Sequence, residues 1–168
     1  MGSIIEYRSI GVIRTPFREP KGTPIQPPGG RGIQGTVEIL QEFVEGLKDL
    51  GGFSHIILIY HFHLVRKREL VEKPFMDDSS HGVFAIRSPG RPNSIGISAV
   101  RLLGIEGNVL RIQDIDIVDS TPLLDIKPYV PQFDPGDRVE IGWYKRNIHK
   151  MLVTRDDGRF AKSPGKPS

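Results

Sequence analysis

Residues 54–65, SHIILIYHFHLV, make a nearly continuous apolar run. The run has the length of a strand and falls short of the ~18 residues that a membrane-spanning helix needs. A strand apolar on both faces belongs in the centre of a sheet, with partners on either side. The rest of the chain offers such partners. Residues 4–13, 36–40, 82–87, 97–106 and 108–118 read as strands, the last two joined at a tight hairpin around Gly107, and 121–131 reads as extended. One helix is expected over 41–50, because Phe43, Leu47 and Leu50 have helical spacing and Gly51-Gly52 stops it. Residues 15–35 are a long segment rich in proline and glycine, of the kind that is either functional or disordered. Residues 67–81 and 88–96 read as loops. Many short strands with Gly/Pro turns and one helix predict a mainly antiparallel barrel or sandwich. The last 30 or so residues form a mixed arm, with 163–168 expected to fray.

A chain of 168 residues suits one domain with a full core. Its opening, MGSIIEYRSIGVI, has no basic flank before a long apolar run and does not read as a signal peptide. Cysteine is absent, which removes disulfides, thiolate zinc sites and cysteine nucleophiles, and fits a cytoplasmic protein. The formal net charge of +3 permits a phosphate-bearing partner without requiring one.

Two regions point to a ligand site. The loop RSPGRPNSIG at 87–96 sets Arg87, Arg91 and Asn93 among prolines that restrict the backbone. Arginine suits carboxylates, phosphates and other planar acceptors. In the strand from Asn108, Leu110 and Ile112 share a face whose continuation is Asp114 and Asp116, while Ile115 and Ile117 fall on the other. The apolar stripe therefore changes faces near Gln113. Either a bulge flips the strand or carboxylates take over a face that began as core, and bulges collect beside active sites.

Other patterns carry less. GRGIQG at 30–35 has the spacing of a dinucleotide fingerprint, but Pro27-Pro28 precedes it and the strand-like TVEIL follows, so it reads as a flexible loop. His61 and His63 could be two metal ligands, yet no spacing brings His55, His81 or His149 to them, and no metal is expected. No GxSxG occurs. Asp125 and Lys127 share one face, as an ordinary exposed pair would.

Several blocks taken together closely resemble the TrmO family of β-barrel, S-adenosylmethionine-dependent tRNA methyltransferases. They are IGVIRTPF at 10–17, the PxQP segment at 24–27, FSH at 53–55, HFH at 61–63, GVFAIRSPGRPNSIG at 82–96 and DIVDSTPLLDIKPYVP at 116–131. The resemblance implies a single antiparallel barrel domain over 1–135, with an arm over 136–168 that is partly flexible. It also implies methylation of N6 of threonylcarbamoyladenosine beside the anticodon, S-adenosylmethionine as donor, tRNA as substrate and a homodimer. Carried over motif by motif, the cofactor would meet Gln26, Pro27, Pro28, His63, Leu64, Arg87, Ile97 and the run Gln113, Asp114, Ile115 and Asp116. Arg91, Asn93 and Lys127 would face the RNA. Asp116, Asp119 and His63 are candidate bases, because the acceptor nitrogen is a poor nucleophile until its proton leaves. Two positions depart from the family pattern: RPNPIG reads RPNSIG, which leaves Ser94 in a less stiff loop, and VDGTP reads VDSTP, which places Ser120 in the turn. Rival readings are a barrel that binds S-adenosylmethionine or RNA without catalysis, and a metal-dependent barrel enzyme using His61 and His63.

Overall fold

The computed structural model describes residues 2–133 and 139–161. Six strands close an antiparallel barrel: β1 (Gly11–Arg14), β2 (Gln34–Ile39), β3 (His55–His61), β6 (Ile95–Glu106), β7 (Val109–Gln113) and β8 (Thr121–Pro128), in the order β1-β2-β7-β6-β3-β8 with β8 returning to β1. A separate two-stranded ribbon pairs β4 (Val71–Glu72) with β5 (His81–Gly82). The 54–65 run is central as expected, since β3 lies between β6 and β8. Its alternate residues Ile56, Leu58 and Tyr60 fill the barrel, where Val37, Leu110 and Leu123 meet them. Closure leaves the barrel itself no free sheet edge, which removes the usual template for aggregation there. Among the described residues no helix is long and apolar enough to cross a membrane.

The helix expected over 41–50 is absent as such. Gln41–Leu47 and Leu50–Gly52 are 3-10 turns, separated by Asp49 at a φ of 65°. Phe43, Val44, Leu47 and Leu50 still pack against the core, so the apolar pattern was a packing signal. Gly46 in the middle of so short a piece weakens an α-helix, and no side chain caps its start. Among the described residues the one short α-helix, α1 (Tyr144–Asn147), lies in the C-terminal arm. Residues 4–9 do not join the first strand: Ile4 is 91% exposed, and pairing begins at Gly11. The strand expected over 82–87 shrinks to β5 followed by a 3-10 turn at Val83–Ala85. The fraying expected of 163–168 falls outside the described residues.

The face change after β7 is resolved by one residue. β7 ends at Gln113, and Asp114 takes a φ of 68°. That left-handed step re-phases the chain, so Ile115 and Ile117 return to the core that Leu110 and Ile112 began. The bulge-like alternative is the one realised. Nor is the glycine-rich segment a flexible loop. Pro27–Gly30 is a 3-10 turn whose last glycine lies so close to Ile115 that a Cβ there would sit 2.0 Å from the Ile115 carbonyl oxygen. At Gly35 a Cβ would come within 2.5 Å of the Arg14 carbonyl oxygen. These glycines serve close backbone approach inside a barrel.

Candidate active site

The end of β3, the start of β6, the start of β8 and the Pro/Gly segment surround a cavity of about 780 Å³, within the range of small-ligand sites. Gln26, His63, Leu64, Arg87, Ile97 and Asp116 all line it, as does Arg91. Six of the residues assigned to the cofactor by resemblance thus converge from separate segments of chain. Pro27, Pro28, Gln113, Asp114 and Ile115 do not line it, and Ile115 is wholly buried in the core. They support the wall from behind: the Gly32 amide donates to Asp114 Oδ1 (2.7 Å), and the Asp114 amide to the Ile33 carbonyl (2.9 Å). Asn93 is exposed on its loop, and Lys127 pairs with Asp125 (2.9 Å) on β8, both away from this cavity.

Asp116 sits between two core isoleucines and keeps part of its surface open to the cavity. Ser98 Oγ donates to Asp116 Oδ1 (2.6 Å), and the buried Tyr60 hydroxyl lies 3.0 Å from the same Ser98 oxygen. Burial pushes the Asp116 carboxyl up to about 7, although the Ser98 hydrogen bond and the Arg87 charge pull the other way. The Tyr60 hydroxyl is pushed well up, first by burial and then by the neighbouring Asp116 charge. Ser98 had no signal in the sequence beyond its inward register on β6. Its hydrogen bond favours the ionised carboxylate, so Ser98→Ala is expected to move the Asp116 titration to higher pH. NMR titration of the carboxyl carbon checks this, and an unchanged midpoint rejects the assigned role for Ser98.

His63 is held below the ordinary imidazole range, first by burial and then by the His61 charge. It is therefore neutral at pH 7 and able to accept a proton. Its Nδ1 lies 3.5 Å from Thr121 Oγ1. His61 is exposed at the end of β3, and among the described residues no three histidine or carboxylate side chains are grouped as metal ligands would be. Asp119 is placed elsewhere. It faces a shallower cavity of about 350 Å³ beside Arg14 and Arg18. There it accepts from the Thr15 amide (2.9 Å), from Ser120 Oγ (3.0 Å) and from Arg18 Nη1 (3.3 Å). The Thr15 hydrogen bond leads the effects that hold it below the usual carboxylate range. A carboxylate so occupied is a poor base. Ser120 takes a φ of 64°, which explains the glycine in the usual VDGTP pattern; here Ser120 Oγ bonds Asp119 and accepts from Arg14.

Arg87 is exposed, and its Nη1 donates to Gln26 Oε1 (3.2 Å), tying the PxQP segment to the arginine loop. Arg91 was expected to face the RNA. It folds back instead, and its Nη1 donates to the carbonyls of Ile86 (2.7 Å) and Ser88 (3.4 Å). Ser88 Oγ in turn donates to the buried Glu72.

Fold and cavity together define an antiparallel β-barrel that encloses a small-ligand site. More particularly, residues 12–135 match the tRNA-methyltransferase O (TrmO) N-terminal domain family, and the chain belongs to that family. A probable S-adenosyl-L-methionine-binding protein of Pyrococcus abyssi is 59% identical over 157 residues, covering 94% of this chain and 85% of that protein. The tRNA (adenine(37)-N6)-methyltransferase of Escherichia coli is 34% identical over 139 residues, covering 77% of this chain but only 59% of that enzyme. The crystal structure of TrmO from Pseudomonas aeruginosa aligns with a TM-score of 0.70 at 32% identity, covering 98% of this chain and 86% of that one.

Proposed function

We propose that the protein is an S-adenosylmethionine-dependent tRNA methyltransferase that methylates N6 of an adenosine beside the anticodon, in its finer form threonylcarbamoyladenosine. The observation that carries this is the convergence of Gln26, His63, Leu64, Arg87, Ile97 and Asp116 on one cavity. Their chemistry fits the donor. Arg87 supplies a cation for its carboxylate, Asp116 an acceptor for its ammonium or ribose, and Leu64 and Ile97 apolar surface for its adenine. When bound, S-adenosylmethionine supplies an electrophilic methyl group on a sulfonium. The chain must then orient the acceptor, exclude water and remove the N6 proton. Asp116, neutral His63 and Asp156 are bases that line the cavity, and a carboxyl that burial pushes up toward neutral pH, to about 7 at Asp116 and about 6 at Asp156, is matched to that task. Asp119 lies outside this cavity, held by the Thr15 amide, Ser120 and Arg18, and takes no part in this step. Anticodon loops present splayed bases, the usual object of specific RNA recognition. A cytoplasmic homodimer working without metal completes the proposal.

Mass spectrometry of tRNA nucleosides from cells with and without the gene tests it. Loss of a methylated threonylcarbamoyladenosine is the expected result, and an unchanged nucleoside profile rejects the activity. The names of the relatives also favour a second reading, a barrel that binds S-adenosylmethionine without turnover. Transfer of labelled methyl to tRNA by the purified protein separates the two.

The arginines give a further expectation. Arg87→Ala should weaken the cofactor directly. Because Arg91 folds back to brace the loop that carries Arg87, Arg91→Ala should weaken the cofactor as well, and should leave the salt slope of tRNA binding nearly unchanged. Calorimetry at two salt concentrations checks both variants. Intact cofactor affinity in Arg91→Ala would leave the bracing without consequence.

A further inference from the structure

The C-terminal arm lies beyond residues 12–135, the part that the family match covers. Yet it is fastened to three segments beside the cavity: the Pro/Gly segment, the chain after β3 and the turn before the arginine loop. The Asp156 amide donates to the Thr23 carbonyl (2.9 Å), and the Gly22 amide to the Asp156 carbonyl (2.6 Å). Arg155 Nη2 donates to the Gly29 carbonyl (3.1 Å), and the Arg66 amide to the Phe160 carbonyl (3.0 Å). Trp143 Nε1 donates to the Ala85 carbonyl (2.9 Å). Through these anchors Trp143, Tyr144, Met151 and Phe160 become cavity wall.

Two of them belong to an ordered aromatic stack. The Trp143 ring lies 4.4 Å from His81 at an interplanar angle of 14°, and 3.9 Å from Tyr144 at 25°. His81 is fixed by Asp77 (Nε2 to Oδ2, 2.8 Å). The Trp143 hydrogen bond to Ala85 ties the stack to the turn that leads into the arginine loop. Trp143 and Tyr144 line the cavity and His81 does not, which puts the open end of the stack at Tyr144. Tyr144 rests on a ring that is itself held by His81 and by a hydrogen bond, and a ring ordered in this way loses little entropy when a ligand ring joins it.

We propose that the Tyr144 end of the His81–Trp143–Tyr144 stack is an adenine-stacking wall of the cavity, contributed by the C-terminal arm. The proposal rests on the methyltransferase reading and deepens it. Every nucleobase has a π-face, and stacking on an aromatic side chain is a recurrent way in which a protein holds one. The adenine can come from either of two sources, the methyl donor or the acceptor nucleoside of the RNA.

Trp143 is the sole tryptophan of the chain, so its emission reports on this stack alone. The probes are S-adenosylhomocysteine, an anticodon stem-loop RNA with adenosine beside the anticodon, and the same RNA with uridine there. A saturable change in Trp143 emission is expected. If it comes with S-adenosylhomocysteine, the wall holds the donor; if it comes with the adenosine stem-loop and not the uridine one, the wall holds the acceptor. Tyr144→Leu should weaken the responding ligand roughly tenfold by calorimetry, the scale of a lost base–aromatic stack. Should that variant fail to fold, the emission titration, which needs no substitution, decides the question. Binding with emission unchanged, or with Tyr144→Leu affinity unchanged, overturns the wall and leaves the methyltransferase reading standing. Failure of the intact chain to bind any of the three overturns both.

Discussion

Asp116→Asn is expected to lower the methylation rate by roughly 100- to 10,000-fold, the usual range for removing a positioned general base. The amide keeps the size of the side chain and can still meet Ser98, so packing is preserved while proton acceptance is lost. In the parent protein the rate should rise with pH through about 7, as the buried carboxyl ionises, and in the variant that limb should vanish. Stability gives an independent readout with a defined sign. The folded-state value of about 7 lies above the ordinary 3.8, so between them the folded chain holds a proton that the unfolded chain has released. The stability due to this group is present at low pH and is lost as pH rises through about 7. Asn carries no such penalty, so the difference in Tm between variant and parent should move in favour of the variant from pH 5 to pH 8. If KM rises with kcat unchanged, Asp116 is a binding group and the base is one of the other two at the cavity, His63 or Asp156.

Much of this site was legible because two independent signals met there. The break in alternation after Ile112 marked the 113–116 run, and the stiff loop marked Arg87. Alternation could not show how the break is made. A left-handed Asp114 has no sequence signature comparable with a glycine, and it is held by the Gly32 amide, 82 residues away. The residues alone left barrel and sandwich open, since that choice turns on the pairing of β1 with β8, whose partners are more than 100 residues apart. The helix expected over 41–50 failed because apolar spacing records which side chains are buried and not how the backbone turns between them. The arm was opaque for another reason. Trp143, Tyr144 and Phe160 follow no period; hydrogen bonds to distant residues place Trp143 at Ala85 and Phe160 at Arg66, and Tyr144 stacks on Trp143.

Gly30→Ala is expected to cost roughly 1–3 kcal/mol of stability, as overpacking does, and to abolish tight cofactor binding. A Cβ at this position would stand 2.0 Å from the Ile115 oxygen, 2.8 Å from its carbonyl carbon and 3.2 Å from its amide nitrogen. All three are backbone atoms, so no rotamer change relieves the overlap, and the two segments must separate. The displacement would act on both sides of the cavity at once. On one side lies Gln26, whose amide oxygen accepts from Arg87; on the other lies Asp116, one residue beyond the contact. Gly46→Ala is the matched control, since a Cβ there meets nothing within 4 Å; it should be neutral or slightly stabilising. Thermal melts and calorimetry with S-adenosylhomocysteine measure the two effects. If Gly30→Ala keeps the parent affinity, the glycine-rich segment can shift without carrying the cavity wall with it, and the close approach of Gly30 to Ile115 matters for the barrel alone.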